Sequence, residues 1–161
     1  MRVAILWVAL GVCEPLLGAT TAVIQVSAAI EPGCLIVGGS TQFGTLEFGR
    51  FPAVGAQTVS VQSTDAVQLQ CTPGVVLNMT VGGGQYHNNG RHLQLEGGTA
   101  QIAYELFNDA ALSQALETGQ RFAVDFTNAA AIKVPVYGRA NLRGNLPAGR
   151  YSDVVQVELS W

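Results

Sequence analysis

The sequence predicts an all-β sandwich, and three observations carry that prediction. From Val23 onward apolar residues recur at every second position. The runs that do so are short and are separated by Gly, Asn, Asp and Pro, while the helical period hardly appears. Alternation at period two puts successive side chains on opposite faces of a strand, so each run has one face to bury, and a second sheet is the usual cover.

The first element is a leader. Met1-Arg2 precedes an apolar run from Val3 to Val12, and the small residues Gly18-Ala19-Thr20-Thr21-Ala22 follow, which is the layout of a secretory signal peptide. It is expected at residues 1–21, with cleavage between Ala19 and Val23. Glu14 and Pro15 interrupt the apolar run, and nothing later reaches the roughly eighteen apolar residues of a membrane span, so no transmembrane segment is expected. A competing reading takes Leu10-Gly11-Val12-Cys13 as a lipoprotein signal; the bulk of Val12 before the cysteine stands against it.

After the leader, Ile24, Val26, Ala28 and Ile30 alternate with Gln25, Ser27, Ala29 and Glu31 until Pro32-Gly33. This reads as a strand of about 30 Å at about 3.3 Å per residue. Further strands are expected at 34–37, 44–48, 58–62, 67–71, 75–81, 102–107, 122–126, 133–137 and 151–161. Turns are expected at Val37 to Ser40, Gly82 to Gly84 and Gly97-Gly98, where glycine tolerates sharp bends. Asp109 to Leu116, with Asn108 as cap, fits a short helix or a turn equally. In the last segment Tyr151, Asp153, Val155, Val157, Leu159 and Trp161 share one face, opposite Ser152, Val154, Gln156, Glu158 and Ser160. Termini ordinarily fray, so a strand that runs to the last residue has to be held by something.

Composition excludes several classes. The chain has 161 residues, 48% hydrophobic and 12% charged, which is one domain's length and too poor in charge for a disordered chain. Its net charge is −3, and loss of Arg2 and Glu14 with the leader leaves that value unchanged. Eight Lys and Arg are too few to neutralise a row of phosphates, so nucleic acid is not an expected partner.

Cys13 departs with the leader, and Cys34 and Cys71 remain as an even pair in an oxidising compartment, where a disulfide is the default. Closing that loop stabilises by about 4 kcal/mol in the chain-entropy account. Two cysteines without a CxxC spacing do not make a zinc site, and no metal or cofactor is expected. Catalysis is not expected either: GxSxG and HExxH are absent, the carboxylates are scattered singly, and Glu105 and Glu158 should face solvent. His87 and His92 flank Asn88-Asn89-Gly90-Arg91, which reads as a polar loop tip or, with Tyr86, as a metal or sugar contact. Arg91 is expected to form a buried or half-buried salt bridge, since a guanidinium fork binds a carboxylate two-handedly. Asn78-Met79-Thr80 matches a glycosylation sequon.

A set of motifs in fixed order narrows the reading. Pro32-Gly33-Cys34 is followed by Phe43-Gly44-Thr45-Leu46-Glu47-Phe48-Gly49 and then by Val67-Gln68-Leu69-Gln70-Cys71-Thr72. Arg91, Tyr104-Glu105-Leu106-Phe107 and Val136-Tyr137-Gly138 come next, and Ala148-Gly149-Arg150-Tyr151-Ser152-Asp153-Val154-Val155-Gln156-Val157 closes the series. Over the whole mature chain this resembles the spore coat protein U domain family, subunits of archaic, Csu-type chaperone-usher pili. The resemblance implies an immunoglobulin-like sandwich lacking its last strand, in residues 34–161, preceded by an N-terminal donor strand extension at 22–33. It implies a fibre subunit that supports adhesion and biofilm formation, secreted through the periplasm to the cell surface. The implied partners are a periplasmic chaperone, an outer-membrane usher and neighbouring pilus subunits. Ile24, Val26, Ala28 and Ile30 would fill the groove of the next subunit, and Tyr151, Val155, Val157, Leu159 and Trp161 would line the acceptor groove and the chaperone-facing strand. The stretch before Cys34 is short for both a donor strand and a first domain strand. An ordinary first strand, a surface-binding adhesin module and a secreted coat protein that never polymerises therefore stay open as alternatives.

Overall fold

The computed structural model describes residues 21–39, 42–64 and 66–161. The expected leader, apart from Thr21, lies outside the described residues, as does Cys13. The chain divides into two units, 1–30 and 31–161.

In the first unit, residues 21–30 form no strand, contrary to the strand expected at 22–30. An alternating sequence supplies only the faces of a strand; the backbone N–H and C=O groups need a partner before the extended form is favoured. Val23, Ile24, Val26 and Ile30 are each between 85% and 97% exposed, so this short segment carries four large apolar side chains into water.

Among its described residues the second unit holds eleven strands: β1 (Cys34–Ile36), β2 (Ala56–Gln62), β3 (Gln68–Cys71), β4 (Asn78–Val81), β5 (Arg91–Leu95), β6 (Gln101–Phe107), β7 (Arg121–Ala123), β8 (Ile132–Lys133), β9 (Tyr137–Arg143), β10 (Tyr151–Ser152) and β11 (Val157–Ser160). All the pairings between them are antiparallel. One sheet runs β10-β5-β6-β9-β2, and two three-stranded sheets run β1-β3-β8 and β11-β4-β7. The core lies between the first and the other two: Ile102, Tyr104 and Leu106 of β6 and Ala140 of β9 meet Leu69 and Cys71 of β3 and Met79 and Val81 of β4. This is an immunoglobulin-like sandwich with one continuous layer and one split layer.

Local chemistry accounts for where strands begin and stop. The strand expected at 133–137 breaks at Pro135, which has no N–H to donate, so pairing halts at Lys133 and resumes at Tyr137. It then continues to Arg143 as β9, an element the alternation did not reveal because Gly138, Ala140 and polar residues fill it. Gly138 is small for a reason: a Cβ there would come 3.0 Å from the Phe48 ring, which with Leu46 packs over β9. Leu46 and Phe48 thus join the core from an irregular segment, and the strand expected at 44–48 is reduced to a single bridge between Thr45 and Thr64. Asp109 to Leu116 is a turn, not a helix. The Asp109 carboxylate accepts from the N–H groups of Ser113 and Gln114, capping a turn that Leu112 closes with a positive φ of 54°. Those backbone bonds, that of Gln114 foremost, hold the Asp109 carboxyl below its usual range.

Cys34 and Cys71 sit opposite each other in the β1–β3 register and are joined by a disulfide. The salt bridge between Arg139 and Glu105, at 2.7 Å across the β9–β6 register, is exposed and contributes at most about 1 kcal/mol.

Leu77→Ala, at a side chain 1% exposed, is expected to cost about 3 kcal/mol by urea denaturation, whereas Val54→Ala, at a side chain 79% exposed, should change stability by less than about 0.5 kcal/mol.

Candidate functional site

The split in the second layer creates the site. β1 pairs only with β3 and β11 only with β4, so the outer edge of each is without a strand partner among the described residues. Between these edges lies an apolar groove of about 260 Å³. Cys34, Leu35 and Ile36 form one wall, Val157, Leu159 and Trp161 the other, and Phe43, Val67 and Leu69 the floor. The groove is open to water: Leu35 is 56% and Trp161 59% exposed, although neither carries a charge. Trp161 narrows one end, where a Cβ built on Gly33 would touch the indole nitrogen at 3.7 Å.

Of the residues expected on the groove strand, Val157, Leu159 and Trp161 line this groove. Tyr151 and Val155 are not among the lining residues; both pack against the core instead. Tyr151 belongs to β10 in the five-stranded sheet, and its hydroxyl donates to the Pro147 carbonyl at 2.9 Å. The single strand expected at 151–161 is in fact two, β10 and β11, which pair in different sheets. Burial still alternates from Tyr151 to Leu159, with the odd-numbered side chains inward, so the predicted face survives the break in pairing.

At that break stands a polar cluster that the sequence pattern did not disclose. Asp153 occupies an inward position in an otherwise apolar row. Its Oδ2 accepts from the Tyr104 hydroxyl at 2.6 Å, and its Oδ1 accepts from the N–H groups of Gln85 and Val154, each at 2.8 Å. Arg91 is buried, with 7% exposure, and lies in β5 rather than in a loop. Its guanidinium donates to three carbonyls, Gly82 at 2.8 Å, Leu116 at 2.7 Å and Val81 at 3.3 Å. The expected carboxylate partner is replaced by backbone, because a buried guanidinium needs acceptors and the end of β4 offers them in reach of its fork. Burial is the main cause that lowers the Arg91 pKa, partly opposed by Tyr104, Glu117 and Asp153. Burial, then the bond to Asp153, drives the Tyr104 hydroxyl far above its usual range, so it stays a donor. The available signal was a lone carboxylate in the inward register of an apolar stripe.

The other candidates disperse. Of the histidine pair, His92 lies in β5 with its ring nitrogen 3.1 Å from the Gly90 carbonyl, while His87 is exposed in the preceding loop. Tyr86 in the same loop is half-buried. No group of three or more His, Cys, Asp or Glu that could hold a metal occurs among the described residues. No helix among them is long and apolar enough to cross a membrane.

An interrupted antiparallel sandwich with an apolar groove at the interruption is the geometry on which the family comparison bears. Residues 20–158 match the model of the Spore Coat Protein U domain. The chain belongs to the Spore Coat Protein U domain family. No curated protein matches it. Among solved structures this Spore Coat Protein U domain is similar to the CsuC–CsuE chaperone–tip adhesion subunit pre-assembly complex from archaic chaperone-usher Csu pili of Acinetobacter baumannii, with a TM-score of 0.50 and 18% identity. The match covers 82% of this chain and 40% of that chain, and the likeness is one of fold.

Arg91→Lys is expected to cost about 2 kcal/mol in urea denaturation, since a single ammonium cannot serve three carbonyls in a planar fork and buried acceptors go unpaired.

Proposed function

We propose that this chain is a non-catalytic structural subunit of an extracellular pilus assembled by a chaperone-usher pathway through strand donation. The observation that carries the proposal is the apolar groove between the unpaired edges of β1 and β11. Such an edge is a template for an added strand, and a groove lined by alternate apolar side chains selects an alternating apolar occupant. Residues 22–33 supply a segment of that kind, with Ile24, Val26, Ala28 and Ile30 on one face, in a stretch that makes no strand of its own. Residues 1–21 act as the export leader and residues 34–161 as the pilin-like domain.

A subunit that carries both an open groove and a free apolar extension needs cover before assembly. A periplasmic chaperone would provide it by laying its own strand along β11, and an outer-membrane usher would exchange that strand for the extension of a neighbouring subunit. The likeness to a chaperone–subunit pre-assembly complex supports this route. The product is a cell-surface fibre that supports adhesion and biofilm formation.

The test is expression of the mature chain in a periplasm with and without a cognate chaperone, with unboiled samples run on a denaturing gel. Wild type is expected to give a ladder of heat-labile multimers, and the Ile24→Asp, Val26→Asp double variant to lose it, because two carboxylates would be buried unpaired in an apolar groove. A stable soluble monomer that forms without any chaperone contradicts the proposal.

A further inference from the structure

We propose that Asp153 and Arg91, together with Tyr104, are positioning residues that set the register of β11 against β4 and so preform the acceptor edge of the groove; this rests on the reading of the groove as the strand-accepting site. β11 is one of the two short edge strands that define that site. It is only four residues long, it is paired on one side alone, and it follows a four-residue link, Asp153 to Gln156, that carries the chain from the five-stranded sheet to the three-stranded one. A short strand held along one edge is free to slip, and a slip by one residue would turn Val157, Leu159 and Trp161 away from the groove. Something other than the β4 ladder has to fix where β11 begins.

The polar cluster sits at that point from both sides. On the β11 side, the Asp153 carboxylate ties the link to Tyr104 of β6 and to the backbone of Gln85, so the link cannot slide along its own axis without breaking a charge-assisted bond. On the β4 side, Arg91 holds the carbonyls of Val81 and Gly82, the residues that meet Val157 and Gln156 across the ladder. The Gly82 N–H donates to the Gln156 carbonyl at 2.8 Å, the first backbone bond beyond β11. Tyr104 and Arg91 are themselves register partners in the β6–β5 pair, so the two clamps share one rigid base. Gly84, with φ +88°, belongs to the same device: a Cβ there would overlap the Asp153 carboxylate, so only glycine lets the loop close over it.

An alternating apolar row has no need of a carboxylate at an inward position. Its presence costs desolvation, which the bonds from Tyr104 and Gln85 offset only in this one alignment, and a shifted register leaves the carboxylate half-buried with only the local Val154 N–H as donor. The cluster therefore acts against wrong registers as well as for the right one. It also explains why the groove wall can stay ordered while its outer edge waits for a strand.

Amide hydrogen exchange on the mature chain tests this, the chain being held as a single subunit by its chaperone or, if it is monomeric alone, taken without one, with Tyr104→Phe and Asp153→Ala compared with wild type in the same state. The expected result is exchange at least tenfold faster at residues 157–160 in both variants, while amides of β9 keep the wild-type rate. Exchange at 157–160 that stays at the wild-type rate overturns the proposal, and so does an equal acceleration at 157–160 and in β9, which would mean a general loss of stability. Tyr104→Phe removes a single hydroxyl, so it carries the test if Asp153→Ala does not fold. Because exchange is read on the single subunit, its result stands whether or not wild type forms the heat-labile ladder; a missing ladder with the expected exchange pattern counts against the assembly reading alone.

Discussion

An antiparallel sandwich is complete when every strand edge is paired, covered or made unfit for pairing, and here one layer is interrupted at its middle. The consequence is a pair of facing edges, β1 and β11, whose free backbone groups and apolar side chains border the same groove. Burial of large apolar side chains is worth roughly 1.5–3 kcal/mol each, so a groove with Leu35, Val157, Leu159 and Trp161 on its walls holds a sizeable unused driving force. The N-terminal segment holds a similar one in Ile24, Val26 and Ile30. Neither surface suits a protein that remains alone in water, and their chemistry is complementary: alternate apolar side chains and unpaired backbone on both sides.

The rest of the unit is arranged to keep that interruption from collapsing. The Cys34–Cys71 disulfide fastens β1, which has only three residue pairs of its own, to β3. The Asp153, Tyr104 and Arg91 cluster fastens the opposite wall. Leu46 and Phe48 close the core against Gly138 without needing a ladder. Covalent and polar contacts thus each hold one border of a space that the fold leaves open.

Much of this was legible in the residues, and what was not has identifiable causes. The inward face of residues 151–161 follows from alternation alone, because side-chain direction depends on extended backbone and not on which strand lies alongside. Pairing partners do depend on it, and so the change of sheet at Asp153 left no trace in the periodicity. β5 and the length of β9 were hidden because Arg91 and Gly138 occupy inward positions where a pattern search expects aliphatic residues. The burial of Arg91 was anticipated, but its partners were not: three backbone carbonyls take the place of the expected carboxylate. Of the helix and the turn left open at Asp109 to Leu116, the turn forms because the Asp109 side chain satisfies the local N–H groups. At 22–30 the sequence supplied the alternating face of a strand, but no strand forms there.

The central claim is that the apolar extension of one copy completes the interrupted layer of another. The most direct measurement mixes two differently tagged mature chains, one with Val26→Cys and the other with Leu159→Cys, under assembly with the cognate chaperone and mild oxidation, and maps the new disulfide by mass spectrometry. The account predicts a bond between chains carrying different tags, with the native Cys34–Cys71 bond intact. A chain carrying both substitutions that forms only an internal bond between the two introduced thiols, with no bond between chains in the mixture, would show that the extension fills its own groove and would contradict the account.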